Sequence, residues 1–444
     1  MSTRTSHEFS CGSALLTAIR AVTRFARRLK QDRVVAERHI PVEIRCLSPN
    51  YYRFLWLFAV LPSLVQAYDT RLSGFIAAEL RGFVDDAQFE EQFDGLQPSA
   101  MLQPEWSIIP ENSDNQFSFI PFLRLDSRDN RRTHFDVREA YWLHVDANFE
   151  LLAGVNRVFW GVAESRHLVD IINQTDFVEG IDGEDKLGQP MVNLATHQDW
   201  GSLNLFVMPW FRERTFPGKD GRLRFPLVTD GDPDYDASND QQHIDVALRY
   251  SHYAGAWDFG VYYFNGSGRE PRFLVNDNGT RLVPFYDLIE QVATDVQFTH
   301  EGWLWKFEGL WRSQNSDHFW ATVGGFEYTL YQIVDSSADL GLLLEYSWDG
   351  RDSDPAEAPP VLFDDDFFMG TRLTLNDVQN SELLVGFVID RESHASQLSL
   401  EAERRLDNHW KLELESRWFL NSGDDVAVAF KKDSNVTLRL ARYF

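Results

Sequence analysis

Apolar and polar residues alternate along much of the chain after residue 67. In KLELESRW, residues 411–418, the leucines and the last tryptophan fall on one face and the charged residues fall on the other. The stretches QLSLEAERRL, HIDVALRYS and GWLWKFEGLW, which begin at residues 397, 243 and 302, repeat the pattern. Because side chains alternate across a strand, this period of two predicts strands of about ten residues, each with one charged face.

Extended over the whole chain, the alternation predicts an all-β protein of about eighteen strands. Sixteen is the alternative if the weak segments near 190–198 and 364–375 are not strands. The predicted strands lie near 73–83, 100–109, 115–126, 133–145, 148–159, 190–198, 202–211, 242–252, 256–265, 286–299, 302–313, 318–332, 337–348, 364–375, 380–391, 394–405, 408–419 and 434–444.

The connections between these strands differ in length in a regular way. Short turns follow the even-numbered strands, and short loops at 127–132, 314–317 and 392–393 are exceptions among the others. Long gaps follow most odd-numbered strands, at 84–99, 160–189, 212–241, 266–285, 349–363 and 420–433. Long loops at one end and short turns at the other are typical of an outer-membrane barrel whose termini both lie at the end with the short turns.

Aromatic residues strengthen the membrane interpretation. They make up 14% of the chain, and many fall at predicted strand ends, among them Trp160, Phe211, Trp257, Trp320 and Trp348. Aromatic rings with one polar edge concentrate at the level of the lipid headgroups, where the strand ends of a barrel lie.

Charge divides the chain at about residue 67. The whole sequence has 42 Lys and Arg against 68 Asp and Glu, yet its first 67 residues are basic and contain both cysteines, Cys11 and Cys46. The acidic, cysteine-free remainder suits an oxidising compartment, and it argues against nucleic acid as a partner because nucleic acid requires a positive surface. After residue 67 there is also no uncharged apolar stretch as long as a membrane helix.

The boundary itself predicts a secretory signal. Arg53 precedes the apolar run FLWLFAVLPSL, and Val65-Gln66-Ala67 places small residues where signal peptidase reads them. We therefore expect residues 53–67 to form the signal core and cleavage site, with cleavage after Ala67. Residues 1–52 are expected to be a non-functional extension, and a buried helix at 54–64 is the alternative.

The last predicted strand, NVTLRLARYF, ends on Phe444 with apolar residues at alternate positions before it. This resembles the C-terminal signature of bacterial outer-membrane proteins, and residues 68–444 resemble the Gram-negative porin-like barrels. Position 442 departs from the signature because it is Arg. The resemblance implies an antiparallel up-and-down transmembrane β-barrel in the outer membrane, surrounded by lipid and lipopolysaccharide and assembled by the barrel assembly machinery through its last strand.

A closed barrel of sixteen to eighteen strands has an interior too wide for side chains to fill, so an aqueous channel is expected. We predict passive diffusion of small hydrophilic solutes. In general porins the third external loop folds inward, and the long loop 160–189 resembles it in rank and length. Its segment Gly161 to Asp176 has apolar residues spaced for one short helix. A loop packed on the barrel rim is the alternative.

Charged residues on this loop and on the polar strand faces are the candidate lining of the pore. Their signs are mixed, so cross-strand salt bridges explain many of them, while the acidic excess of the chain favours cations or neutral solutes. The candidates are Glu164, Arg166, His167, Asp170, Asp176, Lys306, Glu308, Arg312, Arg405, Lys411, Glu413, Glu415, Arg417 and Arg439.

A second candidate site is the acidic stretch TDGDPDYDASND, residues 229–240. Asp230, Asp232, Asp234, Asp236 and Asp240 have a spacing that suits a hard cation such as Ca²⁺, although the Gly and closing Glu of an EF-hand are missing. The alternative is a solvated acidic loop that bridges to anionic lipid through divalent ions.

No catalytic motif accompanies these features. The twelve histidines include no HExxH, no nucleophile elbow and no Cys/His cluster, so we expect no enzyme and no other cofactor. Two alternative functions stay open, namely an outer-membrane enzyme of the lipase or deacylase type and a polysaccharide export channel.

Overall fold

The computed structural model describes residues 68–111, 113–362, 364–423 and 426–444, and more than half of them lie in β-strands. Three short 3-10 turns, Asp240–Gln242, Ile333–Asp335 and Val426–Phe430, are the helical elements named in this part of the chain. The strands are β1 (Tyr68–Phe83), β2 (Leu96–Pro110), β3 (Asn115–Asp126), β4 (His134–Val145), β5 (Glu150–Asn156), β6 (Gln189–Gln198), β7 (Gly201–Met208), β8 (Val228–Thr229), β9 (Asp234–Tyr235), β10 (Asp245–Ala254), β11 (Trp257–Ser267), β12 (Arg272–Val275), β13 (Arg281–Tyr286), β14 (Leu288–His300), β15 (Trp303–Gln314), β16 (Asp317–Leu330), β17 (Asp339–Asp349), β18 (Asp365–Thr374), β19 (Glu382–Asp390), β20 (Ser396–Arg405), β21 (Trp410–Asn421) and β22 (Asn435–Tyr443).

Eighteen of these strands form one closed antiparallel sheet. Each pairs with its neighbour along the chain, and the loops that carry the short strands join β7 to β10 and β11 to β14. The first and last strands close the barrel, with Ala77 opposite Ala441 and Glu79 opposite Arg439. The predicted fold class and the strand number of eighteen are confirmed.

The alternation in sequence becomes an inside and an outside. On β1, Leu72, Ile76 and Leu80 are exposed on the outer surface, whereas Glu79 and Arg81, on either side of Leu80, are buried inside. Exposed apolar side chains recur around the whole outer wall, among them Leu205, Val292 and Leu344. An outer surface of this kind, on a barrel with a polar interior, is that of a membrane-spanning barrel.

No helix in the described ranges combines the length and the apolar character needed to cross a bilayer.

The two ends of the barrel differ as predicted. At one end the connections are short and include 199–200, 255–256 and 301–302. At the other end they include 84–95, 157–188, 209–244, 268–287, 350–364 and 422–434, with short exceptions at 127–133, 315–316 and 391–395. We call these the turn end and the loop end.

Two of the long loops contain a small second sheet. Strands β12 and β13 form a hairpin, and β8 and β9 pair in parallel with β13. Residues 229–240 are therefore held beside β13, where Asp230 donates its backbone N–H to the carbonyl of Leu282.

Two aromatic residues predicted for the headgroup level lie elsewhere. Trp160 and Phe211 are buried, with 6% and 0% of their surface exposed. Trp160 packs against the inner wall, and Phe211 packs edge-on against Tyr235 and Tyr286 of the small second sheet. Trp257, Trp320 and Trp348 are exposed on the outer wall, as a headgroup position requires.

The predicted signal core, cleavage site and extension, residues 1–67, lie outside the described residues.

Candidate functional site

Residues 157–188, here called the inner segment, connect β5 to β6 and pack inside the barrel. Their apolar side chains, including Leu168, Val169, Ile171 and Ile172, join buried residues of the inner wall in one hydrophobic cluster. The wall contributes residues from β5 to β7, β10, β11 and β14 to β16, such as Met191, Phe206, Phe264, Leu310 and Val323. One side of the interior is therefore filled by an apolar core.

Two buried glutamates of the wall bind the beginning of the inner segment. The Glu308 carboxylate on β15 accepts hydrogen bonds from the backbone N–H groups of Val162, Ala163 and Val169, at 2.6, 2.9 and 3.2 Å. Glu345 on β17 accepts from the N–H groups of Glu164 and Ser165, at 2.9 and 2.8 Å. A carboxylate that accepts hydrogen bonds from several backbone amides of one segment fixes the backbone conformation of that segment.

These hydrogen bonds explain why the helix predicted between Gly161 and Asp176 does not form. The structure has turns and bends there and no helix, so that prediction was wrong. The amides of residues 162–165 donate to Glu308 and Glu345 of the wall, which a helical backbone at these residues would position differently. The spacing of the apolar residues in this segment arises because they are buried in the apolar core inside the barrel.

The end of the inner segment meets a cluster of arginines. Arg81, Arg124, Arg132, Arg138 and Arg439, here called the arginine cluster, lie around it on β1, β3, β4, β22 and the loop before β4. Glu79 accepts from Arg124 at 3.0 Å, from Arg132 at 2.7 Å and from Arg439 at 2.9 Å. Arg124 also holds Glu179 of the segment.

Asp176 is fixed in the same region. Its carboxylate accepts from Arg138 at 2.7 Å, from Thr215 at 2.7 Å and from the His134 ring at 3.1 Å. Burial favours the neutral carboxyl, but the hydrogen bond from His134 and the charge of Arg138 outweigh it, so the pKa of Asp176 lies below its ordinary value.

His134, Asp176 and Glu179 have ligand atoms close enough to hold a metal ion, and they are the one such group found in the described residues. Their carboxylates already bind Arg138 and Arg124. The negative charge that would attract a cation is therefore compensated, and we assign no metal to this group.

The opposite side of the interior is hydrated. The inward faces of β18 to β22, together with the edge of the inner segment, form what we call the open side. Its side chains keep substantial exposure, for example 46% for Glu403, 36% for Glu415 and 35% for Glu382, whereas Glu308 and Glu345 on the packed side are buried.

Ion pairs organise much of the open side. Arg372 binds Glu382 at 2.9 Å and Glu164 of the inner segment at 2.6 Å. Lys411 binds Glu403 and Glu413 at 2.7 and 2.8 Å. Arg417 pairs with Asp182 of the segment and with Glu415, the latter at 3.1 Å.

Two carboxyls at the edge of the inner segment have altered acidity. Glu184 and Asp185 are exposed to the interior, yet the surrounding wall limits their hydration, and this raises the pKa of each to about 7. The charges of Asp182 and Glu401 raise the pKa of Glu184 further, and Glu179 and Asp182 do so for Asp185.

The structure separates the predicted lining residues into two groups. Lys411, Glu413, Glu415, Arg417 and Arg439 lie together on the inward faces of β21 and β22, and Arg405 is exposed at the turn end of β20. Glu164 reaches them from the inner segment. Their role in lining a pore stays a prediction.

The other predicted residues are occupied by packing and do not reach the open side as free charges. Arg166 binds Asp349 at 2.7 Å, Lys306 pairs with Glu164 at 3.7 Å, and Asp170 pairs with Lys186 at 3.0 Å. Arg312 binds Glu270 at 2.9 Å, and Glu308 and Asp176 are buried as described. Burial lowers the pKa of the seventh residue of this group, His167.

The five aspartates of residues 229–240 are spread along the loop and the small second sheet. Asp236 accepts from the backbone N–H of Leu288 at 3.3 Å and Asp230 faces Arg281 at 3.5 Å. Asp232, Asp234 and Asp240 are exposed, and no three of the five carboxylates come within ligand distance of one another. Calcium binding stays a prediction that this geometry does not favour.

Glu79, Arg124 and Glu345 belong to the site, although the sequence did not single them out. Each occupies an inward position of a strand, so the alternation could have marked them as interior residues. Their partners lie in the inner segment, and nothing in the local sequence indicates those contacts.

No family model and no curated protein matches the chain. Among solved structures, it is similar to the outer membrane channel DcaP of Acinetobacter baumannii, with 12% identity over 85% of this chain and 98% of the other and a TM-score of 0.43. It is also similar to variants of the Rh. blastica porin, with 10% identity over 84% of this chain and all of the other and a TM-score of 0.42. The eighteen-stranded barrel is defined by its own strand pairing.

Proposed function

We propose that this protein is an outer-membrane pore through which small hydrophilic solutes diffuse passively along the open side of the barrel interior. The observation that carries the proposal is the division of the interior. The inner segment packs an apolar core against one half of the wall and leaves the charged inward faces of β18 to β22 in contact with water.

The inner segment narrows this pathway. Its first half is bound to Glu308 and Glu345, and its second half is bound to the arginine cluster, so it is attached to the wall on both sides of the interior. A segment attached at both ends has a defined edge, and Glu164, Asp182 and Glu184 on that edge face the solute.

The location follows from the same architecture. A barrel with an apolar outer wall belongs in a membrane, and barrels of this kind occupy the outer membrane of Gram-negative bacteria. We propose that the predicted signal sequence before residue 68 directs export, that the barrel assembly machinery inserts the chain through β22, and that lipid and lipopolysaccharide surround it.

Single-channel recording tests the pore. The chain from residue 68 to 444, refolded in detergent and added to planar bilayers, is expected to produce discrete conductance steps. A sample unfolded by boiling serves as the control, and gel mobility that changes on heating verifies that the barrel is folded. Folded protein that inserts without any conductance contradicts the proposal.

One group of side chains, His197, Ser202 and Glu150, is consistent with the enzyme alternative. The His197 ring accepts from or donates to Ser202 at 2.8 Å, and Glu150 lies 3.8 Å from its other nitrogen. All three belong to the inward faces of β5, β6 and β7 at the turn end, away from lipid, and His197 is 54% exposed. A cross-strand hydrogen bond explains the pair, so we favour the pore.

The enzyme alternative has a direct assay. Purified protein is expected to release no fatty acid from phospholipid, and Ser202→Ala is expected to leave the conductance unchanged. Fatty acid release that Ser202→Ala abolishes would support the enzyme.

A further inference from the structure

Most charged side chains on the open side are neutralised by a partner. Arg372, Lys411, Arg417 and Arg439 each pair with at least one carboxylate. A paired charge contributes little to the potential felt by an ion several ångströms away, because its partner cancels most of the field. The charges that lack a partner therefore determine the sign of the potential in the pathway.

Three carboxylates of this region that are in contact with solvent have no such partner, and a fourth unpaired carboxylate, Asp366 on β18, is buried. The side chains of Glu401 on β20 and of Glu184 and Asp185 on the inner segment form neither a hydrogen bond nor an ion pair with any described residue. All three are at least partly exposed to the interior. Glu401 is close enough to Glu184 for its charge to act on that carboxyl.

Arg405 and Arg81, which lack an ion pair in the described part of the chain, do not neutralise Glu401, Glu184 and Asp185 at the height in the barrel where these carboxylates lie. Arg405 has no ion pair within the described residues, but it lies at the turn end of β20, four residues from Glu401 along the strand. Arg81 lacks a carboxylate partner too, but its guanidinium is buried and donates to Thr437 and to the Glu179 carbonyl. Above pH 7, where Glu184 and Asp185 are charged, the free charge in contact with water at mid-height is therefore negative.

The register of the wall adds a second observation. Glu401 lies directly opposite Glu415, and Glu403 lies directly opposite Glu413, on the inward faces of β20 and β21. Like charges directly opposite each other destabilise a sheet. Lys411 bridges Glu403 and Glu413, whereas Glu401 has no ion pair within the described residues, so the Glu401–Glu415 pair is the one that strengthens the negative potential beside the inner segment.

From these observations, and given the proposed pore, we infer that the pathway selects cations over anions and that Glu401, Glu184 and Asp185 form its charge filter. Rings of side-chain carboxylates select cations in other channels by the same electrostatics. The solutes that fit are small hydrated cations, both inorganic and organic.

Reversal potentials in a KCl gradient test the filter. The refolded chain is expected to pass K⁺ in preference to Cl⁻. The double variant Glu184→Gln with Glu401→Gln is expected to lower the permeability ratio by at least roughly threefold, since one unit charge about 5 Å from a monovalent ion in water changes its occupancy by about fourfold before screening.

The matched control is Asp85→Asn with Asp86→Asn. It removes the same number of carboxylates from the exposed loop between β1 and β2, so the permeability ratio is expected to stay at the value of the unaltered chain. Heat-dependent gel mobility of both variants establishes that they fold.

The outcomes separate the filter from the pore. Absence of conductance in the unaltered chain overturns the pore itself. Conductance with a ratio of one or below overturns cation selection, and a ratio above one that both double variants leave unchanged overturns the assignment to Glu184 and Glu401. A fall confined to the variant of Glu184 and Glu401 supports the filter.

Discussion

Glu401 on β20 lies directly opposite Glu415 on β21, and both side chains point into the barrel. Arg417 binds Glu415 at 3.1 Å and also pairs with Asp182, so the arginine is already shared between two carboxylates. Glu401 is left without a partner among the described residues. One side of the pathway thus has a carboxylate that lacks an ion pair and lies beside the inner segment.

Cation selectivity is expected to depend on pH. The pKa values of Glu184 and Asp185 are raised to about 7, so both carboxyls are neutral well below pH 7 and charged well above it. The K⁺ to Cl⁻ permeability ratio should therefore rise between pH 5.5 and pH 8.5, the range about one and a half units either side of that pKa. Reversal potentials at the two pH values measure it.

Substitution of both residues provides the control for this pH dependence. In Glu184→Gln with Asp185→Asn the ratio is expected to stay nearly constant over the same range. A rise of undiminished size in that variant would assign the titration to other groups.

The inner segment should loosen when its carboxylate anchor is weakened. Glu345→Gln replaces a charged acceptor for the N–H groups of Glu164 and Ser165 by a neutral one, and charge-assisted hydrogen bonds are about twice as strong as neutral ones. We expect exchange of these amides with solvent to accelerate by about tenfold, as measured by hydrogen–deuterium exchange.

Glu105→Gln is the matched control for the anchor. Glu105 lies on the inward face of β2, and its side chain accepts from Gln103 and forms no hydrogen bond or ion pair with the described inner segment. The exchange rates of residues 162–169 should not change in this variant. Equal acceleration in both variants would mean that the anchor at Glu345 does not hold the segment.

Loss of Arg124 should destabilise the barrel strongly. Arg124→Ala leaves the buried carboxylates of Glu79 and Glu179 without this partner, and breaking a buried pair from one side costs about 3–5 kcal/mol. Unfolding in urea, followed by heat-dependent gel mobility, measures the loss.

An exposed arginine on the same barrel supplies the comparison. Arg71 pairs with Asp69 at 2.8 Å, and both side chains are more than half exposed. Arg71→Ala should change the free energy of unfolding by less than about 1 kcal/mol. Similar losses for the two variants would contradict the structural role of the arginine cluster.

Gly188 marks the point where the inner segment returns to the wall. A Cβ at this residue would lie 2.3 Å from the Val137 carbonyl oxygen and 2.5 Å from that of Arg138, both of them backbone atoms. Gly188→Ala is therefore expected to cost about 1–3 kcal/mol in unfolding free energy, the range for overpacked sites.

Gly82→Ala is the control for that substitution. Its nearest neighbour would be the Leu96 Cδ2 atom at 3.2 Å, the end of a flexible side chain on the outer wall, so a small shift relieves the contact. A destabilisation as large as that of Gly188→Ala would show that chain conformation, and not the close approach, is decisive.

The sequence by itself determined a barrel of about sixteen to eighteen strands, their inward and outward faces and the unequal ends of the barrel. These features are local. The alternation within about ten residues, as in KLELESRW, shows which side chains share a face of a strand, and the length of a connection is read directly from the sequence. The interior positions of Glu413, Glu415 and Arg417 follow from the alternation alone.

Only the tertiary structure decided which of those interior charges are free. Arg417 meets Asp182 and Glu79 meets Arg124 across distant parts of the chain, and Glu308 and Glu345 bind backbone amides more than a hundred residues away. The hydrogen bonds to Glu308 and Glu345 also explain why residues 161–176 are irregular and do not form the predicted helix. Contacts of this kind depend on barrel closure, which brings side chains together across the interior whatever their separation in sequence.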